Sequence, residues 1–151
     1  MIRLTFDPFD PGALLSSFSE GRTEVGAVVS FTGIARAEGG AAKVLELEAY
    51  PGFTEAQIGK IADQARGRFG LDDLTVLHRV GKIAPGEAVV FVATAARHRR
   101  AAFEACDFLM DYLKSRAPFW KKEHGPDGAR WIEPHASDHT DLARWDKETS
   151  P

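Results

Sequence analysis

Apolar and polar positions change rhythm several times along the chain, and each change predicts an element. Residues 1–6 are patterned as a strand. Asp10-Pro11-Gly12 then opens a short helix to about Phe18, with Asp10 as N-cap and Pro11 at the first helical position, where its missing N–H costs nothing. Residues 25–33 form a β-rich, almost wholly apolar run, the mark of a well-buried strand. Residues 34–42, with Arg36, Glu38 and Gly39-Gly40, read as a loop. Residues 43–50 alternate again as a strand. Thr54 with Gln57 gives a capping-box start to a helix reaching Phe69, whose stripe is Ile58, Ile61, Ala62 and Ala65. Strands follow at 74–80 and 88–95, separated by a turn at Pro85-Gly86. A long helix spans residues 98–116, with Ala102, Phe103, Cys106, Leu109, Met110 and Leu113 as its core face. Pro118 removes a backbone donor and forces Ala117 towards an extended conformation, so the helix stops there. Residues 119–124 and 129–132 make a hairpin around Gly125-Pro126-Asp127-Gly128, and residues 137–145 a last helix. With no repeat and no linker, this is one α+β domain over residues 1–145, with a flexible tail at 146–151.

Composition narrows the function classes. The chain has 151 residues, 44% hydrophobic and 27% charged, with a net charge of −3, ordinary values for a globular domain with its own core. No apolar run approaches the ~20 residues that span a bilayer, and residues 1–7 lack the layout of a signal peptide. The acidic balance argues against a nucleic-acid or membrane-surface binder. Cys106, the only cysteine, has no partner for an internal disulfide, and the expected compartment is the cytoplasm.

Basic residues are nonetheless clustered, which suits a small anion or the anionic tail of a partner. Arg97-His98-Arg99-Arg100 stands where a strand hands over to a helix. Cations there oppose the helix dipole at a cost of ~0.3–1 kcal/mol each, whereas free N–H groups and cations together hold an anion well. A solvated helix start with Arg100 paired to Glu104 remains the competing reading. At the other end of the same helix, Lys114 and Lys121 flank Pro118 with Phe119 and Trp120 between them. Lysine in a last turn is favoured by the dipole alone, and Asp111 is placed to pair with Lys114. The functional alternative is a pair of amines beside an aromatic wall, tuned for proton transfer or nucleophilic attack. His135 and His139 have H-x3-H spacing near His124, but no cysteine pair or H-E-x-x-H accompanies them, so no metal is expected. His78 reads as a hydrogen-bonded structural histidine in a strand, and Cys106 as an inert core thiol. Neither a phosphate-loop motif nor a nucleophile elbow occurs.

Several segments, in order, carry a resemblance. They are Gly26-Ala27-Val28-Val29-Ser30-Phe31-Thr32-Gly33-Ile34-Ala35-Arg36, Leu47-Glu48-Ala49-Tyr50-Pro51-Gly52, His78-Arg79-Val80-Gly81, Pro85-Gly86-Glu87, Arg97-His98-Arg99-Arg100-Ala101-Ala102-Phe103, and Asp111-Tyr112-Leu113-Lys114-Ser115-Arg116-Ala117-Pro118-Phe119-Trp120-Lys121-Lys122-Glu123. Together they resemble the large, catalytic subunit family of molybdopterin synthase over nearly the whole chain. The resemblance implies an α/β hammerhead-type fold and a homodimer. Each protomer would bind a small ubiquitin-like sulfur-carrier subunit with a Gly-Gly tail, giving a heterotetramer. That tail, as a thiocarboxylate, would donate sulfur to cyclic pyranopterin monophosphate, and two transfers would make the dithiolene of molybdopterin. No metal or organic cofactor is implied. The resemblance places the catalytic lysine at Lys114 and a supporting lysine at Lys121, with Phe31, Arg36, His98 and Arg99 as substrate or tail contacts. An arginine expected near His135 is absent. Two other classes compete: a non-catalytic module binding a phosphate or a ubiquitin-like tail, and a phosphoester hydrolase, which would want a carboxylate cluster for its metal.

Overall fold

In a computed structural model, residues 1–37, 43–132, 136–143 and 145–146 are described. In chain order the elements are β1 (Ile2–Thr5), α1 (Pro11–Ser19), β2 (Ala27–Ile34), β3 (Val44–Ala49), α2 (Phe53–Phe69), β4 (Asp73–Arg79), β5 (Gly81–Ile83), β6 (Ala88–Ala96), α3 (Arg99–Ser115), β7 (Phe119–Gly125), β8 (Gly128–Trp131) and α4 (Ala136–Ala143). They build two four-stranded sheets, ordered β1-β4-β6-β2 and β5-β3-β7-β8. The fold is mixed α+β, as the hydrophobic pattern predicts.

The first sheet is buried on both faces, which explains the apolar runs of its inner strands. Side chains alternate across a strand. Val90 and Val92 of β6, with Leu74 and Val76 of β4, meet Ile58, Ile61, Ala62 and Ala65 of α2 and Cys106, Phe108, Leu109 and Leu113 of α3. On the opposite face Leu77, Phe91, Ala93 and Ala95 meet Phe18 of α1. Burying a Leu, Val or Phe side chain completely contributes about 1.5–3 kcal/mol, so this sandwich is the main source of stability. β1 runs parallel to β4, while β6 is antiparallel to both β4 and β2.

Chain passes directly from the first sheet to the second at Val80. Gly81 makes the bend, with φ +82° and Phe6 3.0 Å from where a Cβ would stand, a conformation and a space that suit glycine. β5, too short to carry a period of its own, continues from there and pairs with β3. The crossing is tied by Arg79, only 3% exposed. Its guanidinium donates to Glu87 Oε2 at 3.2 Å and to the Lys82 carbonyl at 3.0 Å.

Several expectations change in detail. Asp10 does cap α1, accepting from the Gly12 and Ala13 N–H groups. Thr54, however, is not an N-cap: α2 starts from Gly52 at φ 78°. The Thr54 hydroxyl accepts from the Tyr50 N–H at 2.9 Å and donates to the Pro118 carbonyl at 3.0 Å. Phe103 is 55% exposed, while Phe108 is 1% exposed. The buried stripe of α3 is therefore rotated towards Phe69 and Trp145, whose rings lie 5.4 Å from that of Phe108. Loop residues 38–42, His135 and residues 147–151 of the expected tail lie outside the described residues.

Candidate active site

α3 ends where two independent tethers hold the chain that follows it. Its last residue is Ser115, and Pro118 is gripped through its carbonyl by Thr54. Phe119 then stacks on the imidazole of His78, with ring centroids 4.3 Å apart and planes at 25°. These contacts turn the chain from helix α3 into strand β7. Lys114, in the last helical turn, is exposed, and Lys121, on β7, is half-buried. Lys121 sits two residues beyond Phe119, so both side chains leave the same face of the strand. Opposite Lys121 in the register is Leu47, 5% exposed. On the other face of β7, the Lys122 ammonium lies 4.8 Å over the Trp131 ring.

Lys114 and Lys121 both act electrostatically on His78. Burial is the main cause that pushes His78 down to about 4, and the positive charges of Lys114 and Lys121 both push the same way. Its Nδ1 is 2.8 Å from the Arg79 carbonyl oxygen. Burial likewise pushes the Cys106 thiol up to about 12, with Asp107 adding to it, which fits the reading of an inert core residue.

Sheet register shows which of the other predicted residues share this end. His78 is opposite Val90, which is opposite Gly33, so the row from His78 to β2 spans two strand spacings, about 10 Å. Phe31, 42% exposed, is on that strand. Just past it, Ala35 is fixed by its N–H to the Glu87 carbonyl at 2.9 Å and by the Gly86 N–H on its own carbonyl at 2.7 Å. Arg36 follows, exposed. Lys114, Lys121, Phe31 and Arg36 thus belong to one end of the molecule.

His98 and Arg99 do not. They lie at the Ala96 end of β6, about 20 Å from Val90 along the strand, and about 24 Å from Lys114 along α3. His98 occupies the N-cap position with no side-chain hydrogen bond to the helix, and Arg97, His98, Arg99 and Arg100 are all exposed. Arg97 reaches Glu24 only at 3.8 Å, and Arg100 and Glu104 form no ion pair. The arrangement is that of an open anion site: uncapped N–H groups and cations facing solvent. A groove of about 200 Å³ between α2 and α3, lined by Gln57, Lys60, Gln64, Tyr112 and Arg116, contains none of these residues. The chain therefore places the two groups of predicted residues at opposite ends of α3.

Of the residues flanking the lysines, Thr54 and His78 carry positioning contacts that the sequence alone does not assign. Both act across the fold, on residues 64 and 41 positions away. The one local signal was a polar residue set among buried neighbours. His124, placed near His135 and His139 by the sequence, instead bonds Glu46 at 2.6 Å across the strand pair.

A family model described as MoaE protein matches residues 4–116. The molybdopterin synthase catalytic subunit of Caulobacter vibrioides is 68% identical over 148 residues, covering 98% of this chain and 99% of that protein. Its counterpart from Mesorhizobium japonicum is 54% identical over 146 residues, covering 95% and 92%. Among solved structures, a molybdopterin biosynthesis MoaE protein from Burkholderia ambifaria superposes with a TM-score of 0.83 at 44% identity, covering 97% of each chain. Lys114 falls inside the span of the family model, and the alignments to the two relatives, covering 98% and 95% of this chain, extend past it.

Proposed function

Because the chain belongs to the MoaE protein family, we propose that it is the catalytic subunit of a molybdopterin synthase and transfers sulfur to cyclic pyranopterin monophosphate. The sulfur arrives as the thiocarboxylate at the Gly-Gly end of a small ubiquitin-like subunit. Its sulfur forms a bond to a substrate carbon as a C–O bond of that carbon breaks, the oxygen leaving on the phosphate or as water, and water then breaks the acyl–sulfur bond through a tetrahedral species. The partner leaves as a carboxylate, and a second partner molecule supplies the second sulfur.

The observation that carries this reading is that Lys114 and Lys121 flank the α3–β7 turn, whose Phe119 stacks on His78, and both act electrostatically on that histidine. Lys114 is the group that stabilises the tetrahedral oxyanion and moves its proton. Lys121 adds positive charge beside it. His98 and Arg99, with the uncapped N-terminus of α3, hold the phosphate of the substrate. Since these two groups are about 24 Å apart along α3, a complete site takes the lysines from one protomer and His98 and Arg99 from its partner, in a homodimer. Arg36 and Phe31, at the lysine end, face the incoming tail.

The test is a reconstitution with the thiocarboxylated small subunit and cyclic pyranopterin monophosphate, read by mass spectrometry for a product with two sulfurs. Lys114→Ala is expected to lower the rate by about 10²–10⁴-fold. A normal rate in that variant would remove Lys114 from the mechanism. A native protein that binds the partner but yields no sulfurated product would favour a non-catalytic binding module instead.

A further inference from the structure

β2 is an edge strand that lacks the usual protection of one. Among the described residues it pairs only with β6, so no strand lies beside its outer N–H and C=O groups. Open edges invite pairing with another chain, and folded proteins blunt them with charge, proline, a bulge or short length. β1, at the other edge of the same sheet, has four residues and carries Arg3. β2 has eight residues, with neither charge nor proline. Its one irregularity is a register shift between Gly33 and Ile34, at its end, which leaves the stretch before it regular.

α3 adds an apolar flank to that edge. It packs on β6 and β2, whereas α2 packs on β1 and β4. On a helix of 3.6 residues per turn, Arg99, Phe103, Met110 and Lys114 fall within an arc of about 60°. Tyr112 and Arg116, which line the groove facing α2, are on the opposite side of the helix. The arc therefore overhangs the β2 edge. Phe103 is 55% exposed on it, and Met110, half-buried, joins it to the core.

We propose that this edge, β2 with the overhanging flank of α3, is the surface on which a second copy of the chain docks, strand against strand and antiparallel about a two-fold axis. The choice of occupant rests on the reading of a site shared between protomers, and the geometry favours it. A two-fold axis through the middle of β2, near Ser30, lets the outer groups of each strand pair with those of its twin. α3 sits over β6 and β2, so the two copies of α3 come to lie two strand spacings apart, about 10 Å, the distance of packed helices. The same axis passes the middle of α3. Both elements begin together, Gly26 standing against the Arg97 carbonyl, and half of each spans about 12 Å. Antiparallel copies of α3 then set Lys114 of one protomer beside the His98–Arg99 turn of the other, replacing a separation of about 24 Å with roughly the helix spacing.

The test uses the full chain alone, with neither substrate nor small subunit. Sedimentation should give about twice the 16.5 kDa mass of one chain, and hydrogen exchange should be slow throughout residues 27–34. Ser30→Lys sets like charges against each other near the axis, and Phe103→Glu puts a charge on the α3 flank. Both side chains are exposed in the single chain, so neither change removes core packing, and far-UV spectra check the fold. Each variant is expected to weaken dimerisation by roughly a hundredfold and to speed exchange in β2. Gln64→Glu, on the exposed side of α2, is expected to leave mass and exchange unchanged. A monomeric native chain would overturn the inference, as would a dimer that either variant leaves intact. Protection of β2 that appears only when the small subunit is added would assign the edge to that partner and overturn it too. Because mass and exchange are read without substrate, a native dimer of this kind that transfers no sulfur would sink the functional reading alone.

Discussion

Glu46, Asp73 and Glu87 all hold their carboxylates below the usual range, each for its own reason. Glu46 is lowered first by the hydrogen bond with His124, against a smaller cost of burial. For Asp73 burial alone would raise the value, but the Arg22 guanidinium at 2.5 Å and the Leu74 N–H together outweigh it. Glu87 is lowered chiefly by the Ala84 N–H and then by Arg79. A carboxylate depressed on folding contributes stability above its unfolded pKa and loses it as pH falls through the folded value. His78 acts earlier in an acid titration. The unfolded chain takes up its proton near 6.5, whereas the folded protein resists until about 4, so stability is full above 6.5 and falls across that window. The slope is about 1.4 kcal/mol per pH unit, about 3 kcal/mol in all. Thermal midpoints measured from pH 7 to pH 4 should decline for the native protein and decline less for His78→Gln; parallel curves would show that His78 is not the group titrating. The sequence made His78 legible as a hydrogen-bonded strand histidine, which it is. Its cationic neighbours were not legible, because they arrive from α3 and β7 through the tertiary fold.

Elements with local punctuation were legible and those with long-range punctuation were not. Asp10-Pro11 writes the start of α1 in adjacent residues, and Pro118 writes the end of α3. The start of α2 is different, because the Thr54 hydroxyl that looked like a cap is spent on Tyr50 and on Pro118. Thr54→Val, equal in shape, leaves those two groups unpaired, at a cost of about 1–3 kcal/mol. It also releases the turn between Lys114 and Lys121, so calorimetry should show a lower midpoint and the reconstituted assay a lower kcat. Gly26 plays the corresponding part at the other end of α3. A Cβ there would stand 2.1 Å from the Arg97 carbonyl oxygen, a backbone atom that cannot swing aside. Gly26→Ala should therefore cost roughly 1–3 kcal/mol and displace His98 and Arg99, weakening substrate binding more than partner binding. Calorimetric titration of both ligands distinguishes the two. The resemblance marked Gly26 without a reason; the close approach of β2 to the β6–α3 junction supplies one.

At the scale of the whole molecule, the predicted site residues divide within one chain between the two ends of α3. Sequence places His98 and Lys114 on one helix and does not say whether its two ends serve one site or two. If each site joins the lysine end of one protomer to the arginine end of its partner, two defective variants should repair one another. Arg99→Ala and Lys114→Ala, each inactive alone, form a mixed dimer with one intact site and one doubly defective site. Random reassortment in a two-fold dimer gives about half mixed dimers, and hence about a quarter of native activity. Mixing after partial denaturation and refolding, then assaying sulfur transfer, tests this; no recovery despite mixed dimers would place the whole site in a single chain.

The burial of Cys106 has a consequence for the fidelity of the proposed sulfur transfer. In the proposed reaction, a nearby enzyme thiolate would attack the acyl carbon of the tail, expel its sulfur as sulfide and leave the tail as a dead-end thioester on the enzyme. The only thiol in this protein is 5% exposed and pushed up to about 12, so at neutral pH it is neither ionised nor within reach. For that proposed reaction, the protein offers no thiolate of its own to compete with the substrate.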